Sequence, residues 1–568
     1  MGTAAAGAVL LGAAAGGTKL AGGATQQATP VSKAGPVPMA SVPSNWDYTA
    51  DVVVVGYGGG GAVCAMTAYD AGANVLILEK SPYVPNRVNV SGGKSYPMSG
   101  GGGNTCISGG GAWAVADAAT LANGIYNLTW GSTPKDVLLA FAQADVNLPA
   151  WCKANNIPYT FGTPSGAMWW PNLNPALFSL SMPAGGGAGL FSALDAQVQS
   201  RGIPVLFGTP ATCLIQNPQT KEIIGVQATE QGTDQVLNVK ASRAVILCTG
   251  GFEFDETMKL NYLKSYPVHT WGWQYNTGDG IKMAEKVGAG MWHMNFVSMA
   301  LNPWFPNDAG PSSWPAGNSA GTTNGFIYVD KHGQRFMNEK ITTWVDNAAS
   351  YTTDFDQTVP EYTRIPLFMI MDQTGIKSGP MASGMGVVQL PFALGGRLPW
   401  SSDNSVEIAK GYIQQGNTLA DLANAINKQS PFVGINPGSS DNTGPPSSIT
   451  VNIDPNVLTA TVTAYNNACA AKVDAQFGRP ASTLVPIQTP PYYSMALWPG
   501  GPNTQGGPIR NALGQVCTSE GSPIPRLYSN GELGSIWGQL YQGAGNITEF
   551  LCFGQISGKN AAAEKPWS

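Results

Sequence analysis

The pattern of apolar and polar positions first becomes regular at a run of β-branched residues that stops at glycines. The segment YTADVVVVG, which ends at Gly56, is apolar without alternation, as is typical of a strand buried on both faces of a parallel sheet. The next residues, AVCAMTAYDAG, have apolar positions at helical spacing, and NVLILEK predicts a second strand. The order of these elements predicts a βαβ unit.

A second regular pattern lies between residues 203 and 249. Short runs of β-branched residues are separated by turn signals at Asn217-Pro218 and Gly232-Thr233, which predicts a meander of strands. The pattern then changes to the continuous apolar run from Ala244 to Thr249, which is followed by glycines. We therefore predict a meander that leads into a buried strand.

Changes in local composition along the chain predict its domains. Residues 301–480 are rich in aromatic, Pro and Asn loops around one strong strand, IPLFMIMD, and two helices at LADLANAINK and LTATVTAYNNACAAKV. From residue 481 onward the composition again resembles that of residues 46–300. We predict one domain formed by residues 46–300 and 481–568, with a second domain, 301–480, inserted into it.

The N-terminal segment, residues 1–45, has a composition of its own. It contains a short Ala/Gly/Leu run and small residues, as in a secretory signal, but it lacks the basic residues that begin one. Two interpretations stay open, a processed signal of an exported protein and a flexible tail of a cytoplasmic one.

Composition favours a globular protein and excludes one class of partner. The 568 residues include 72 Gly and 42 Pro, yet sixteen Trp and 43% apolar residues supply enough surface for packed cores. A net charge of -5 with only 29 Lys and Arg leaves no basic surface for nucleic acid. No segment is apolar for long enough to predict a membrane helix, so we expect no integral membrane protein.

Cysteines and histidines are too dispersed to predict a metal site. No two of the eight Cys form a CxxC pair, and the three histidines are His269, His293 and His332. We expect buried free thiols and no metal, with disulfides left open as the alternative.

Candidate chemistry begins at the glycines that end the first strand. Gly56, Gly58 and Gly61 form G-x-G-x-x-G, which permits a tight turn, the approach of backbone N–H groups to a pyrophosphate, and close packing of helix on strand. Glu79 ends the second strand, 23 positions after Gly56, where its carboxylate can accept a hydrogen bond from a ribose hydroxyl. The spacing predicts a dinucleotide site and leaves NAD and FAD open.

The rest of the chain favours FAD. A nicotinamide dehydrogenase would continue with further βαβ repeats. This chain instead has a glycine-rich patch at Gly100–Gly111 and a C-terminal NGELG turn. Such patches predict backbone packed against a flat ligand.

Eight segments carry a family resemblance: DVVVVGYGGGGAVCAMTAYDAGANVLILEK, GGGNTCISGG, VILCTGGFE, NTGDGIKMAEKVGA, DKHGQRFMNE, PYYSMALWPGGPNTQGG, IPRLYSNGELG and GNITEFLCFGQISGKNAA. Their order resembles that of the fumarate reductase and 3-ketosteroid dehydrogenase flavoprotein superfamily. The resemblance implies an α/β fold, in which a Rossmann-like FAD-binding domain carries an inserted α+β capping domain. It also implies non-covalent FAD in an extended form.

The resemblance further implies roles for single residues. Glu79 would bind the adenosine ribose, Asp279 would lie near the pyrophosphate, Asn104 would flank the isoalloxazine, and Glu532 would bind the ribityl chain. The full set of implied cofactor-binding residues is Gly56, Gly58, Gly59, Gly60, Gly61, Glu79, Lys80, Gly103, Asn104, Thr105, Ser108, Gly109, Gly110, Thr249, Gly250, Asp279, Gly531, Glu532, Asn546 and Ile547.

The chain departs from the resemblance where soluble fumarate reductases bind substrate carboxylates. Pro502 and Asn503 stand where those enzymes have histidines, and Gln542 stands where they have an arginine. Trp344 and the segment QTGIKS after MIMD replace two further arginines. Because a buried carboxylate without a cation partner is costly, we do not expect fumarate or succinate as the substrate.

Neutral and phenolic residues remain as catalytic candidates. In 3-ketosteroid dehydrogenases a tyrosine at the PYY-like position and a glycine N–H bind the substrate carbonyl, which implies Tyr493 and Gly501 here. Such uncharged donors stabilise the charge that builds on an enone oxygen. Tyr541 or Ser494 could transfer the neighbouring proton, and Tyr492 is the remaining candidate in this group.

We therefore expect an FAD-dependent oxidoreductase that acts on CH–CH groups. It would move hydride between flavin N5 and a C–C bond next to a carbonyl, in a 3-ketosteroid-like or other apolar enone, with the direction open. A quinone or redox protein would exchange its electrons, because the sequence has no haem or cluster motif. Two alternatives stay open: a reductase of fumarate-, urocanate- or cinnamate-like acids that uses Lys377 or Arg364, and a flavin-carrying electron-transfer protein.

Overall fold

A computed structural model provides the fold. It describes residues 42–84, 88–91, 94–162, 177–230, 232–233, 235–270, 272–298, 300–303, 314–315, 325–340, 350–383, 400–433, 448–539 and 543–567. The signal-like segment up to residue 41 lies outside the described residues, as do Trp344, Tyr541 and Gln542.

The helices and strands are numbered in chain order. The helices are α1 Gly59–Asp70, α2 Gly103–Ile107, α3 Ala118–Leu128, α4 Lys135–Ala154, α5 Gly186–Ser200, α6 Glu256–Tyr262, α7 Asp279–Lys286, α8 Gln373–Lys377, α9 Ser405–Ala409, α10 Leu419–Asn427, α11 Pro455–Ala471 and α12 Gly545–Ala563. The strands are β1 Tyr48–Val55, β2 Val75–Leu78, β3 Val88–Ser91, β4 Lys94–Pro97, β5 Ala112–Val115, β6 Phe178–Ser181, β7 Val205–Leu206, β8 Ala211–Gln216, β9 Ile223–Thr229, β10 Val236–Leu247, β11 His269–Thr270, β12 Met291–Trp292, β13 Ala300–Asn302, β14 Trp314–Pro315, β15 Phe326–Val329, β16 Phe355–Asp356, β17 Glu361–Tyr362, β18 Leu367–Asp372, β19 Ala382–Ser383, β20 Ile413–Gly416, β21 Phe432–Val433, β22 Ser448–Ile449, β23 Tyr492–Gly501, β24 Gly507–Pro508, β25 Gln515–Cys517 and β26 Pro523–Ser529.

The larger sheet has eight strands and is built around β1. Its order is β25-β26-β10-β1-β2-β7, with β8 and β9 added beside β10. β1 pairs in parallel with β10 and with β2, and β10 pairs in parallel with β26. Val52 and Val54 pack into the core that contains α1 and α12, whereas Val53 and Val55 pack into the core on the opposite face. The predicted βαβ unit and α/β fold class are confirmed.

The predicted meander is present, but its last strand is longer than expected. β8 pairs antiparallel with β9, and β9 with the first half of β10. β10 runs unbroken from Val236 to Leu247, so the third meander strand and the predicted buried strand are one element. No Gly or Pro interrupts it, which lets the chain stay extended where burial changes from alternating to continuous.

The smaller sheet has six strands, in the order β11-β23-β18-β15, with β13 and β20 also paired to β23. β18 confirms the predicted strand IPLFMIMD, and all six of its residues are buried. β23 carries the segment YYSMALWPGG, which the sequence predicts to lie after the inserted domain. In the structure this strand pairs antiparallel with β18, within the sheet of the inserted region.

Both helices predicted for residues 301–480 are confirmed, as α10 and α11. α10 begins after Thr418, which forms a capping box with Asp421. α11 begins after Asp454, whose side chain accepts from the backbone of Asn456. None of the helices that the structure describes combines the length and apolarity needed to cross a membrane.

Helix α12 packs directly on α1 because two of its glycines leave no room for a side chain. A Cβ at Gly554 would lie 2.6 Å from Cγ1 of Val63, and one at Gly558 would lie 2.6 Å from the carbonyl oxygen of Cys64. This close approach holds the last helix of the chain against the first, beside the glycine turn.

Helix α4 buries a carboxyl group. Asp145 is fully buried, and burial raises the pKa of its side chain well above the usual range, although the Val115 backbone partly opposes the shift. The pKa of Asp145 is therefore higher in the folded protein than in the unfolded protein. The protonated carboxyl group contributes its full stability at pH values below the pKa of the unfolded protein. This stability is lost as the pH rises through the folded pKa.

We expect Asp145→Asn to raise the free energy of unfolding by roughly 1–3 kcal/mol at about pH 8, and to change it little at about pH 4. Urea titrations at the two pH values measure this. Asp136→Asn, at an exposed position of the same helix, is the control and should change the free energy by less than about 1 kcal/mol. An equal effect of Asp145→Asn at both pH values would show that ionisation plays no part.

Candidate functional site

A cavity of about 620 Å³ lies at the carboxyl ends of four adjacent parallel strands. Val55, Leu78, Cys248 and Asn530, at or just after the ends of β1, β2, β10 and β26, line it. Ligands in open α/β sheets bind at this edge. Every predicted cofactor residue except Gly61 lines the cavity.

The glycine turn after β1 forms one wall. Gly56 has a positive φ of 102°, and a Cβ there would lie 2.3 Å from the carbonyl oxygen of Cys248. Gly61 instead makes the turn compact, because a Cβ there would lie 2.0 Å from the carbonyl oxygen of Gly56. Gly58, the N-cap of α1, provides no side-chain cap, so the positive end of the helix opens onto the cavity.

Glu79 and Lys80 form the end of the cavity next to β2. The Glu79 carboxylate accepts from the backbone N–H groups of Tyr57 and Ser81, both at 2.7 Å, which fixes its direction. Lys80 pairs with Asp279 at 2.8 Å, and its ammonium also donates to the Thr277 hydroxyl. The positive charge of Lys80 is therefore already neutralised by the Asp279 carboxylate.

Asn104, at the start of α2, joins several segments at the wall of the cavity. Its Nδ2 lies 2.7 Å from Oε1 of Glu253 and 2.8 Å from Oε2 of Glu532. Its Oδ1 accepts from the backbone N–H of Trp273 at 2.5 Å. Pro502, whose carbonyl oxygen is 3.3 Å from the same Nδ2, completes the group. One amide thus holds four chain segments around this part of the cavity.

Two carboxyl groups meet behind Asn104. Glu253 is fully buried, whereas Glu532 lines the cavity. Burial raises the pKa of Glu532 well above its usual range, and the nearby Glu253 raises it further. Burial also raises the pKa of Glu253. The surroundings disfavour two charged carboxylates at this place.

A buried arginine supports the NGELG turn from below. Arg510 donates to the carbonyl oxygen of Gly531 at 2.7 Å and to Oε1 of Glu549 at 2.9 Å. Burial raises the pKa of Glu549 to about 7, despite the guanidinium beside it. Because Gly531 and Leu533, whose carbonyl oxygens accept from Arg510, flank Glu532, this arginine sets the position of the carboxyl group that faces the cavity.

The predicted catalytic residues of β23 do not line the cavity. The Tyr493 hydroxyl donates to Oε1 of Gln373 at 2.7 Å, and Ser494 is fully buried. Tyr493 and Gly501 are eight positions apart on one strand, which separates them by about 26 Å. Tyr492 is partly buried beside Tyr493, at the far end of the strand. Only the Gly501 end reaches the cavity, through its neighbour Pro502.

Cations are scarce around the cavity. Lys80 is the one Lys, Arg or His among its described lining residues. Lys377 is exposed on α8, and Arg364 pairs with Asp354 at 3.1 Å. Neither lines the cavity. Among the described residues, no group of three His, Cys, Asp or Glu side chains could hold a metal ion.

The structure adds residues that the sequence analysis missed. Trp273 lines the cavity, and it lies in the aromatic run TWGWQY directly before the NTGDG motif. Glu253 ends the VILCTGGFE segment, but a sequence gives no sign that it faces Glu532. Arg510 follows the segment PYYSMALWPGGPNTQGG by three positions, but nothing in the sequence indicates that it binds the NGELG turn.

The residues present fit a dinucleotide that contains a flavin. The uncapped first turn of α1 suits a pyrophosphate, and Glu79 suits a ribose. The Thr249 hydroxyl has no hydrogen-bond partner among the described residues, and Thr249 lines the cavity, as expected where ligand hydroxyls or phosphates bind. The lining also includes several glycines and the Trp273 ring, which leave space for a flat ring system.

Comparisons with known proteins agree with this geometry. A profile of the family described as FAD binding domain matches residues 51–548. The digoxin reductase of Eggerthella lenta is 24% identical over 99% of this chain and 96% of its own. The urocanate reductase of the same organism is 26% identical over 92% and 76%.

A solved structure shows the same fold. The 3-ketosteroid delta1-dehydrogenase from Sterolibacterium denitrificans, in complex with 1,4-androstadiene-3,17-dione, is similar with a TM-score of 0.70 and 21% identity. The match covers 91% of this chain and 99% of that one. The superfamily resemblance and the FAD cofactor predicted from the sequence are confirmed.

We expect Arg510→Met to lower the free energy of unfolding by about 3–5 kcal/mol, because it leaves Glu549 buried without its cation. It should also weaken FAD binding at least about tenfold, since the turn that carries Glu532 loses its support. Urea titration and FAD titration measure the two effects. The control is Arg201→Met, which breaks a surface pair with Asp70 and should cost less than about 1 kcal/mol. Unchanged FAD affinity in Arg510→Met would contradict this role.

Proposed function

This chain belongs to the FAD binding domain family and is an FAD-dependent oxidoreductase that acts on CH–CH groups, and on that premise we propose its substrate class. The substrate is an uncharged, largely apolar molecule with a C–C bond next to a carbonyl, of the 3-ketosteroid kind or another enone. When bound, FAD supplies the two-electron chemistry, and the protein supplies binding, orientation and electrostatics.

Each end of the cavity is assigned to one part of FAD. The first turn of α1 holds the pyrophosphate, and Glu79 holds the adenosine ribose. Asn104 and Trp273 lie against the ring system, and Glu532 faces the ribityl chain. This assignment is supported by the lining of the cavity, which includes the start of α1, Glu79, Asn104, Trp273 and Glu532.

The scarcity of cations around the cavity is the observation that supports an uncharged substrate. A carboxylate in a buried site needs a positive partner, and its absence costs several kcal/mol. Lys80, the basic side chain among the described lining residues, pairs with Asp279 at the end assigned to the adenosine. The ring end is lined by Trp273, Pro502 and Asn503 instead. These side chains suit a neutral substrate.

Uncharged donors are available for the substrate carbonyl. Asn503 is buried at the cavity wall, and its amide now donates to the carbonyl oxygen of Thr504. A neutral amide N–H or backbone N–H stabilises charge on a carbonyl oxygen without attracting a carboxylate. We assign carbonyl binding to the side-chain amide of Asn503 and to the backbone N–H groups of Gly501 and Asn503, because Pro502 between them has no N–H.

Tyr541 is the proposed proton-transfer residue. Gly543 and Ala544, which follow it by two and three positions, line the cavity. A phenol can donate or accept the proton of the carbon next to the reacting one. Electrons pass to or from a separate quinone or redox protein, because the chain has no haem or cluster motif.

A reductase of an unsaturated carboxylate is the second candidate. Its support is the 26% identity to urocanate reductase over 92% of this chain. It requires a cation at the ring end, contributed by residues other than the described lining residues.

We test the substrate class by anaerobic reoxidation of the reduced enzyme. A 4-en-3-one steroid and a cyclic enone should reoxidise the flavin with kcat/KM at least about tenfold higher than cinnamate, urocanate or fumarate, because the acids lack a cation partner. The flavin absorbance reports each reaction. Faster reoxidation by an acid than by either enone would reject the proposal in favour of the second candidate.

We expect Tyr541→Phe to lower turnover by about 100-fold with the best substrate, because the hydroxyl transfers a proton in the reaction. FAD content should stay unchanged. Tyr69→Phe, at an exposed position of α1, should have wild-type turnover. Full turnover by Tyr541→Phe would assign proton transfer to another group.

A further inference from the structure

We propose that Glu253 and Glu532 share one proton beside the bound FAD, and that this proton is taken up or released as the flavin changes its redox state. The inference rests on the proposed position of FAD in the cavity, but not on the proposed substrate. Glu532 faces the cavity, and Glu253 acts on the flavin only through Glu532, so Glu253 is a positioning residue.

The geometry brings the two carboxyl groups together. One amide, that of Asn104, donates to an oxygen of each, at 2.7 and 2.8 Å. The other two oxygens converge on Gly251, where a Cβ would lie 2.3 Å from Oε1 of Glu532 and 2.8 Å from Oε2 of Glu253. By distance and angle, neither of these oxygens has a hydrogen-bond partner among the described residues, although the Thr504 backbone is close enough to oppose the rise in the pKa of Glu532. A proton between the carboxyl groups would satisfy both.

The charged residues that follow Glu253 along the chain already form ion pairs of their own. Asp255 pairs with Lys282, and Glu256 pairs with Lys259.

On the remaining sides, Lys80 pairs with Asp279, and Arg510 pairs with Glu549 below the turn that carries Glu532. From α2 the facing group is the neutral Asn104, and Asn276 donates to Oε1 of Glu253 at 3.2 Å. No ion pair among the described residues includes Glu253 or Glu532. Because no cationic side chain there neutralises the two carboxyl groups, a bound proton is what can lower their negative charge.

The redox link follows from charge. Reduction adds two electrons and one proton to the flavin, supplied by an electron donor such as dithionite and by water, and it increases the negative charge near Glu532. Added negative charge raises the pKa at which the pair loses its shared proton. The pair therefore has one pKa in the oxidised enzyme and a higher one in the reduced enzyme. In the pH window between these two values, reduction brings one further proton from water into the pair, and reoxidation releases it.

The midpoint potential of bound FAD tests this without any substrate. Inside that pH window, the midpoint potential of the wild type should fall with pH about twofold more steeply than that of E253Q. The reason is that two protons accompany two electrons in the wild type, whereas one proton accompanies them in E253Q. The measurement runs from about pH 5 to about pH 10 in a spectroelectrochemical cell. E230Q, which changes an exposed glutamate outside the cavity, should follow the wild type.

Parallel curves for the wild type and E253Q, even if displaced from each other, would overturn the proposal. A second measurement needs only the wild type. The infrared difference spectrum of oxidised minus reduced enzyme should contain the band of a protonated carboxyl group within the window, and its absence at every pH would also overturn the proposal. Because no substrate is present, neither result depends on whether the enzyme prefers enones or acids.

Discussion

The close approach of the glycine turn to strand β10 is the constraint on which the site depends. A Cβ at Gly56 would lie 2.3 Å from the carbonyl oxygen of Cys248, so only glycine lets β1 end against the end of β10. That contact directs the start of α1 at the cavity. Asn530 then ties the third parallel strand to the turn, because its amide donates to the carbonyl oxygens of Gly60 and Phe550. The turn, the last strand and the last helix therefore form one rigid support for the dinucleotide.

The second organising feature of the site is the way in which its buried carboxyl groups are hydrogen-bonded or paired. Glu79 is held by backbone N–H groups, Glu549 by Arg510, and Glu253 and Glu532 by one shared amide. Among the described residues, Lys80 and Arg510 near the cavity pair with Asp279 and Glu549, and we propose that the ring end contains neutral donors and apolar side chains. A site of this kind favours a carbonyl over a carboxylate, because only the carboxylate would be left without a partner.

Local signals in the sequence were sufficient for the elements that bind the dinucleotide. The run ending at Gly56, the acid at Glu79 and the NGELG turn each combine a strand end with glycines, and these short-range features fix backbone positions. The meeting of Glu253 with Glu532 depends instead on parallel strands that are far apart in sequence. The position of Tyr493 depends on β23 joining the six-stranded sheet, where its hydroxyl binds Gln373. Such long-range pairings leave no periodic trace, so the sequence could predict the cofactor, whereas the residues that contact the substrate stay a prediction.

We propose that the ring end of the cavity accepts a neutral carbonyl compound and excludes carboxylates. Ligand binding to the oxidised enzyme, followed through the visible flavin spectrum, tests it most directly because no turnover or electron donor is needed. We expect a saturable spectral change with a planar phenol or 4-en-3-one steroid, and none with fumarate, urocanate or cinnamate at the same concentrations. Saturable binding of the acids with no response to the neutral ligands would contradict it.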